Sequence, residues 1–130
     1  DQLLAESDYV SLHTNLDDGS RHLIGAAELA KMKPTAFLIN TARGGLIDQK
    51  ALTAALQNNA IAGAALDVLE AEPPAADDPI FTLPNAICYP HIASATEETR
   101  RAMRELAVEN MLAVLAGKKP PAAVNPEVLG

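Results

Sequence analysis

Hydrophobic positions gather in four short runs: Tyr9-Val10-Ser11-Leu12-His13, residues 36–41, residues 61–68 and residues 86–89. Each is entered from a polar or helical stretch, and that alternation reads as βαβ units on a parallel sheet, an α/β fold. The continuous apolar run Phe37-Leu38-Ile39 is the pattern of a strand covered on both faces.

Helical spacing fills the gaps. A first helix is expected over residues 2–6, as the tail of something before Asp1, and a second over residues 26–31, stopped by Pro34. Asp48 is a natural N-cap for a third, with Leu52, Ala55 and Leu56 as a narrow apolar stripe ending at Asn58-Asn59. In the last, Ser94 with Glu97 fits a capping box, and Met103, Leu106, Ala107, Met111, Val114 and Leu115 fall at helical spacing, with Arg100, Arg104 and Glu109 on the other side. Gly117 suits a C-cap, Lys118-Lys119 sit where cations favour the helix dipole, and from Pro120-Pro121 onward the tail has no period.

With 130 residues, 48% of them hydrophobic and 21% charged, the chain has room for one compact core and not the composition of a disordered segment. No stretch approaches the roughly 20 apolar residues of a membrane span, and no signal-peptide pattern opens the chain. Ten Lys and Arg against 17 Asp and Glu leave a net charge of −7, which repels a phosphate backbone. Tyr9, Phe37, Phe81 and Tyr89 are the only aromatic platforms for bases. Neither a membrane nor nucleic acid is an expected partner. The single cysteine, Cys88, forms no internal disulfide and suits a reducing, cytoplasmic setting. A chain beginning at Asp1 without Met is expected to be a piece of something longer.

The unusual polar residues fall where the strands end. His13 closes the first run, Thr41 and Arg43 follow the second, Asp67 lies near the end of the third and His91 follows the fourth. In a parallel sheet these ends share one edge, and open α/β folds bind ligands in the crevice outside it. An isolated arginine is ordinarily a solvated loop residue. Gly44-Gly45 beside Arg43, however, lets the backbone turn tightly and approach a ligand, and a guanidinium there can meet a carboxylate through two parallel N–H bonds.

His91, between Pro90 and Ile92-Ala93-Ser94, has an ordinary reading as a strand-end histidine on a backbone carbonyl. Its other reading is a proton carrier at a fixed corner, since imidazole is the side chain suited to passing one proton near neutral pH. Glu72 is by default a loop carboxylate; set against a histidine, it would favour the charged imidazolium. His13 and His22 read as ordinary polar residues, Ser94 as a cap, and Cys88 as a small buried hydrophobe. Three histidines without an i, i+4 pair, with one cysteine, make no metal site.

Ser11-Leu12-His13-Thr14, residues 40–48 (Asn-Thr-Ala-Arg-Gly-Gly-Leu-Ile-Asp), Ala65-Leu66-Asp67-Val68 through Glu72-Pro73, and Pro90-His91-Ile92-Ala93-Ser94-Ala95-Thr96 together resemble the D-isomer-specific 2-hydroxyacid dehydrogenases. The resemblance runs over nearly the whole chain. It implies catalytic roles for Arg43, Glu72 and His91: anchoring the substrate carboxylate, holding the imidazole, and protonating the keto oxygen as hydride arrives. It also implies NAD or NADP contacts at His13, Thr14, Thr41, Ala42, Arg43, Asp67, His91 and Ala93. The Thr-Ala-Arg-Gly-Gly motif and the Val124-Asn125-Pro126-Glu127-Val128 ending look most like glyoxylate, hydroxypyruvate or 2-ketogluconate reductases, acting on a small 2-keto acid as homodimers. Asn15 stands where relatives often carry proline.

The phosphate turn of that family departs. None of the seven glycines, at 19, 25, 44, 45, 63, 117 and 130, has Gly-x-Gly-x-x-Gly spacing. Residues 1–117 are therefore expected to be the second half of a Rossmann-like NAD(P)-binding domain, and residues 118–130 a tail that in relatives returns to a substrate domain. Alone, such a piece should be inert, and NAD cannot be told from NADP. The rival reading is a non-catalytic protein of the same fold whose interactions are gated by a dinucleotide, and a third is a bare packing fragment.

Overall fold

A computed structural model describes residues 1–129. Two compact units divide it, residues 1–92 and the segment from Ala93 onward.

The first unit holds four parallel strands, β1 (Tyr9–Leu12), β2 (Phe37–Asn40), β3 (Gly63–Leu66) and β4 (Ala86–Cys88), paired in chain order. Val10, Leu38, Ala64 and Ala86 stand in one register row, and Leu12, Asn40, Leu66 and Cys88 in the row nearest the carboxyl edge. Helices α1 (Gln2–Glu6), α2 (Ala26–Leu29) and α3 (Gln49–Gln57) complete this unit. The second helix is shorter than its sequence pattern: Ala30 caps it and Lys31 bonds back to Glu28, so the chain leaves the helix before Pro34. Asp48 caps α3 as expected, its carboxylate accepting from the Ala51 amide at 3.0 Å.

One face of the sheet carries the core. Val10, Leu12, Leu38, Ala64 and Leu66 are buried with Leu29, Leu52, Leu56 and Ile61, and each Val, Leu or Ile among them contributes about 1.5–3 kcal/mol. The expected cover on both faces does not hold. Tyr9, Phe37 and Ile87 on the opposite face are exposed, and Tyr9 stacks on Phe37 with ring centroids 5.6 Å apart. Alternation along β1 and β2 thus has the half-buried form, because an apolar run states what could be covered and not what covers it.

In the second unit, α4 spans Glu97–Leu115. Its N-cap is Thr96 rather than Ser94: the Thr96 hydroxyl accepts from the Thr99 amide at 3.1 Å, two residues later than the Ser94-Glu97 pattern predicted. At the other end Gly117 adopts φ 66°, Lys118 N–H reaches Ala113 O and Gly117 N–H reaches Val114 O, which satisfies the last carbonyls of the helix. Its apolar stripe, Met103, Leu106, Met111, Val114 and Leu115, is exposed. The tail is tied back where Ala122 N–H donates to Asn110 Oδ1 at 3.0 Å, and it ends in a 3-10 turn at Pro126–Leu129. Among the described residues no helix is long and apolar enough to cross a membrane.

Candidate active site

The carboxyl ends of β2, β3 and β4 each deliver one of the polar groups singled out above. At the end of β2, Asn40 is wholly buried, an unusual place for an amide. It is fully used: Oδ1 accepts from Ala42 N–H at 3.0 Å and Nδ2 donates to Arg43 O at 2.9 Å, which closes the turn that projects the exposed Arg43. Arg43 Nη1 rests on Ala42 O at 2.8 Å, and among the described residues the guanidinium makes no ion pair.

The glycine after it has a structural reason of its own. A Cβ on Gly44 would lie 1.8 Å from Leu69 O and 2.1 Å from Leu69 C, so the backbone there closely approaches the peptide that enters the Glu72 loop. Gly45 is held by Leu16, whose side chain would be 3.0 Å from an added Cβ. The β2 turn and the loop after β3 are thereby pressed together.

At the end of β3, buried Asp67 sets the corner that carries His91. Its carbonyl accepts from His91 N–H at 2.8 Å and its carboxylate Oδ1 accepts from Ile92 N–H at 2.8 Å. His91 has φ 54°, a left-handed conformation that L residues rarely adopt and that the two Asp67 bonds secure.

Glu72, further along the same loop, meets that histidine. Its Oε2 lies 2.9 Å from His91 Nδ1 and its Oε1 accepts from Leu69 N–H at 3.2 Å. Both side chains are half exposed. A recess of about 410 Å³ opens beside the pair, walled by Leu69, Pro74, Phe81, Cys88 and Tyr89. Burial, with a smaller push from Asp78, raises the Cys88 thiol above its ordinary range, in keeping with a packed hydrophobe.

His13 and Thr14, at the end of β1, and Thr41 are exposed at the same carboxyl edge, with His13 Nε2 2.8 Å from Ser11 Oγ. A second recess, about 450 Å³, is lined by Thr14, Asn15, Leu16, Ala42 and Arg43. It lies outside the carboxyl ends of the parallel strands, where open α/β folds bind ligands. Ala93 opens the second unit.

Three residues to which the sequence assigned no role support this edge: Asn40, Gln49 and Glu70. Glu70 N–H donates to Gln49 Oε1 at 2.9 Å, and Glu70 Oε1 lies 2.7 Å from His22 Nε2. His22 has φ 53° and is fastened by its N–H to Gly45 O. Among the described residues no three His, Cys, Asp or Glu side chains stand together as metal ligands.

Residues 1–93 match the family described as D-isomer specific 2-hydroxyacid dehydrogenase, NAD binding domain. Over 129 residues, 99% of this chain, it is 54% identical to a glyoxylate reductase of Thermofilum pendens and covers 38% of that protein. It is 50% identical, also over 129 residues, to glyoxylate/hydroxypyruvate reductase B of Enterobacter agglomerans, covering 40% of it. Among solved structures it resembles an NADPH-dependent glyoxylate/hydroxypyruvate reductase of Sinorhizobium meliloti in complex with NADP and malonate. The TM-score there is 0.89 at 34% identity, over 96% of this chain and 39% of that one. The chain thus spans about two fifths of the length of the relatives it matches.

Proposed function

The chain belongs to the D-isomer-specific 2-hydroxyacid dehydrogenases, and from that premise we propose that the protein carrying it is an NAD(P)H-dependent reductase of a small 2-keto acid, glyoxylate or hydroxypyruvate in the first instance. The observation that carries this reading is the 2.9 Å contact of Glu72 with His91, residues 19 apart, at the sheet edge that also presents Arg43.

A carboxylate only accepts hydrogen bonds, so His91 Nδ1 carries the hydrogen of that contact and Nε2 is left for the reacting group. In the charged state Nε2–H donates to the keto oxygen and passes its proton there, becoming the neutral imidazole whose Nδ1–H still faces Glu72. Arg43 receives the substrate carboxylate through its planar fork and places positive charge beside the oxygen on which negative charge develops. Asn40 and Asp67 fix the two turns, so little reorientation remains when substrate arrives. His13, Thr14, Thr41, Ala42, Arg43, Asp67 and His91 would line the nicotinamide half of the dinucleotide. When bound, that group supplies the hydride.

Residues 1–117 are the later part of the cofactor domain in this reading, and residues 118–130 lead toward the substrate domain. Alone the segment would be inert, since proton donor and anion anchor stand without the phosphate turn. The protein would work as a cytoplasmic homodimer without nucleic-acid or membrane partners; the net charge of −7 on these 130 residues supports the exclusion of nucleic acid. The test is NADH and NADPH oxidation by the full-length protein with glyoxylate and hydroxypyruvate, and absence of turnover with every 2-keto acid tried would refute the assignment.

A further inference from the structure

The loop that carries Glu72 is fastened at both ends by one side chain. Gln49, the first residue of α3, accepts from Glu70 N–H at Oε1, 2.9 Å, and donates from Nε2 to Asp78 Oδ2 at 2.7 Å. Its own backbone N–H lies 3.4 Å from Glu70 Oε2. The Glu70 carboxylate continues outward to His22 Nε2 at 2.7 Å, with Arg21 Nη1 at 3.8 Å. Asp78 is itself fixed, its other oxygen accepting from Ile80 N–H at 3.0 Å.

We propose that Gln49 is a positioning residue for the reduction: by bridging Glu70 and Asp78 it closes the loop of residues 70–78 and so holds Glu72 against His91. The amide is suited to the task because it offers one acceptor and one donor on a single planar group, and the two ends of the loop present the complementary pair. Neither an aliphatic nor a carboxylate side chain can do both. Residue 72 lies in the exposed part of this loop, with Leu69 N–H and His91 Nδ1 as its hydrogen-bond partners, so the loop ends decide where its carboxylate rests.

This rests on the reductase assignment only for its kinetic consequence. The direct readout is amide hydrogen exchange at Leu69, whose N–H is donated to Glu72 Oε1 and therefore reports whether Glu72 is in place. Gln49→Leu in the full-length protein should lower protection at Leu69 about tenfold, the scale of losing a hydrogen bond to a charged group. It should also cut kcat about tenfold while the KM for keto acid stays within about twofold. Gln49→Glu should behave like Gln49→Leu, whereas Gln49→Glu combined with Asp78→Asn restores both readouts. In the double variant the residue 49 carboxylate accepts from Glu70 N–H and from the new amide at 78, which still accepts from Ile80 N–H.

A lowered Tm with unchanged Leu69 protection and unchanged kcat would overturn the proposal, as would failure of the charge-swapped pair to restore what Gln49→Glu removes. If the unaltered protein turns over no keto acid, the reductase assignment fails while the exchange data still decide for or against the clamp.

Discussion

Glu72 stands between two donors, His91 Nδ1 at 2.9 Å and Leu69 N–H at 3.2 Å, so the group that orients the imidazole is itself oriented by the backbone entering its loop. In the proposed reaction His91→Gln should lower kcat by about 10²–10⁴ with cofactor affinity little changed, because an amide cannot pass a proton. Glu72→Ala should lower it less, since imidazole would remain without its orienting acceptor. Steady-state kinetics together with a dinucleotide titration of each variant separate the two effects.

The anion anchor should show in KM. Arg43→Lys keeps the charge but replaces a two-pronged planar donor by a point charge, and the KM for glyoxylate should rise about tenfold or more. Equal KM values for the two proteins would remove Arg43 from carboxylate binding.

Gly44→Ala tests how closely the two loops are pressed together. With its Cβ 1.8 Å from Leu69 O, the methyl can be accommodated only by parting the β2 turn from the Glu72 loop. Overpacking against backbone costs about 1–3 kcal/mol or more, and a chemical denaturation midpoint should fall accordingly. Gly25→Ala serves as the comparison, because an added Cβ there meets the end of Glu28 at 3.4 Å and His22 O at 3.9 Å, both ordinary contact distances.

Acidification should loosen the start of α2. The Glu28 carboxylate accepts from Gly25 N–H at 3.1 Å, and this bond first, with Lys31 as a smaller contributor, lowers its pKa below the ordinary 4.5. A carboxyl lowered on folding stabilises the fold above its unfolded pKa, and that contribution is lost as pH falls through the folded value. Between neutral pH and about pH 3, Glu28→Gln should show a flatter decline of Tm than the unaltered chain. Parallel declines would show that the cap contributes nothing.

Much of this was written in the order of residues. Four apolar runs separated by helical spacing determine a parallel α/β sheet; Asp48 marks a helix start because its carboxylate reaches an amide three residues on, and Gly117 a helix end because without a Cβ it takes a positive φ. That Thr41, Arg43, Asp67 and His91 share an edge follows from parallel strands having a common direction. Local sequence is less decisive where several residues could play one part: Ser94, Thr96 and Thr99 all carry hydroxyls, and the helix takes its cap from Thr96.

Tertiary structure alone decided which groups touch. Nothing near Gln49 in the chain indicates that its amide spans Glu70 and Asp78, 21 and 29 residues away, or that Gly44 is small on account of Leu69. Likewise the stripe of α4 has the period of a buried face and is exposed, and the outer face of β1 and β2 carries Tyr9 and Phe37 into the open. Periodicity records the capacity of a surface to be covered, a property of one segment. Contact depends on a second segment brought alongside, and that is set by the path of the whole chain.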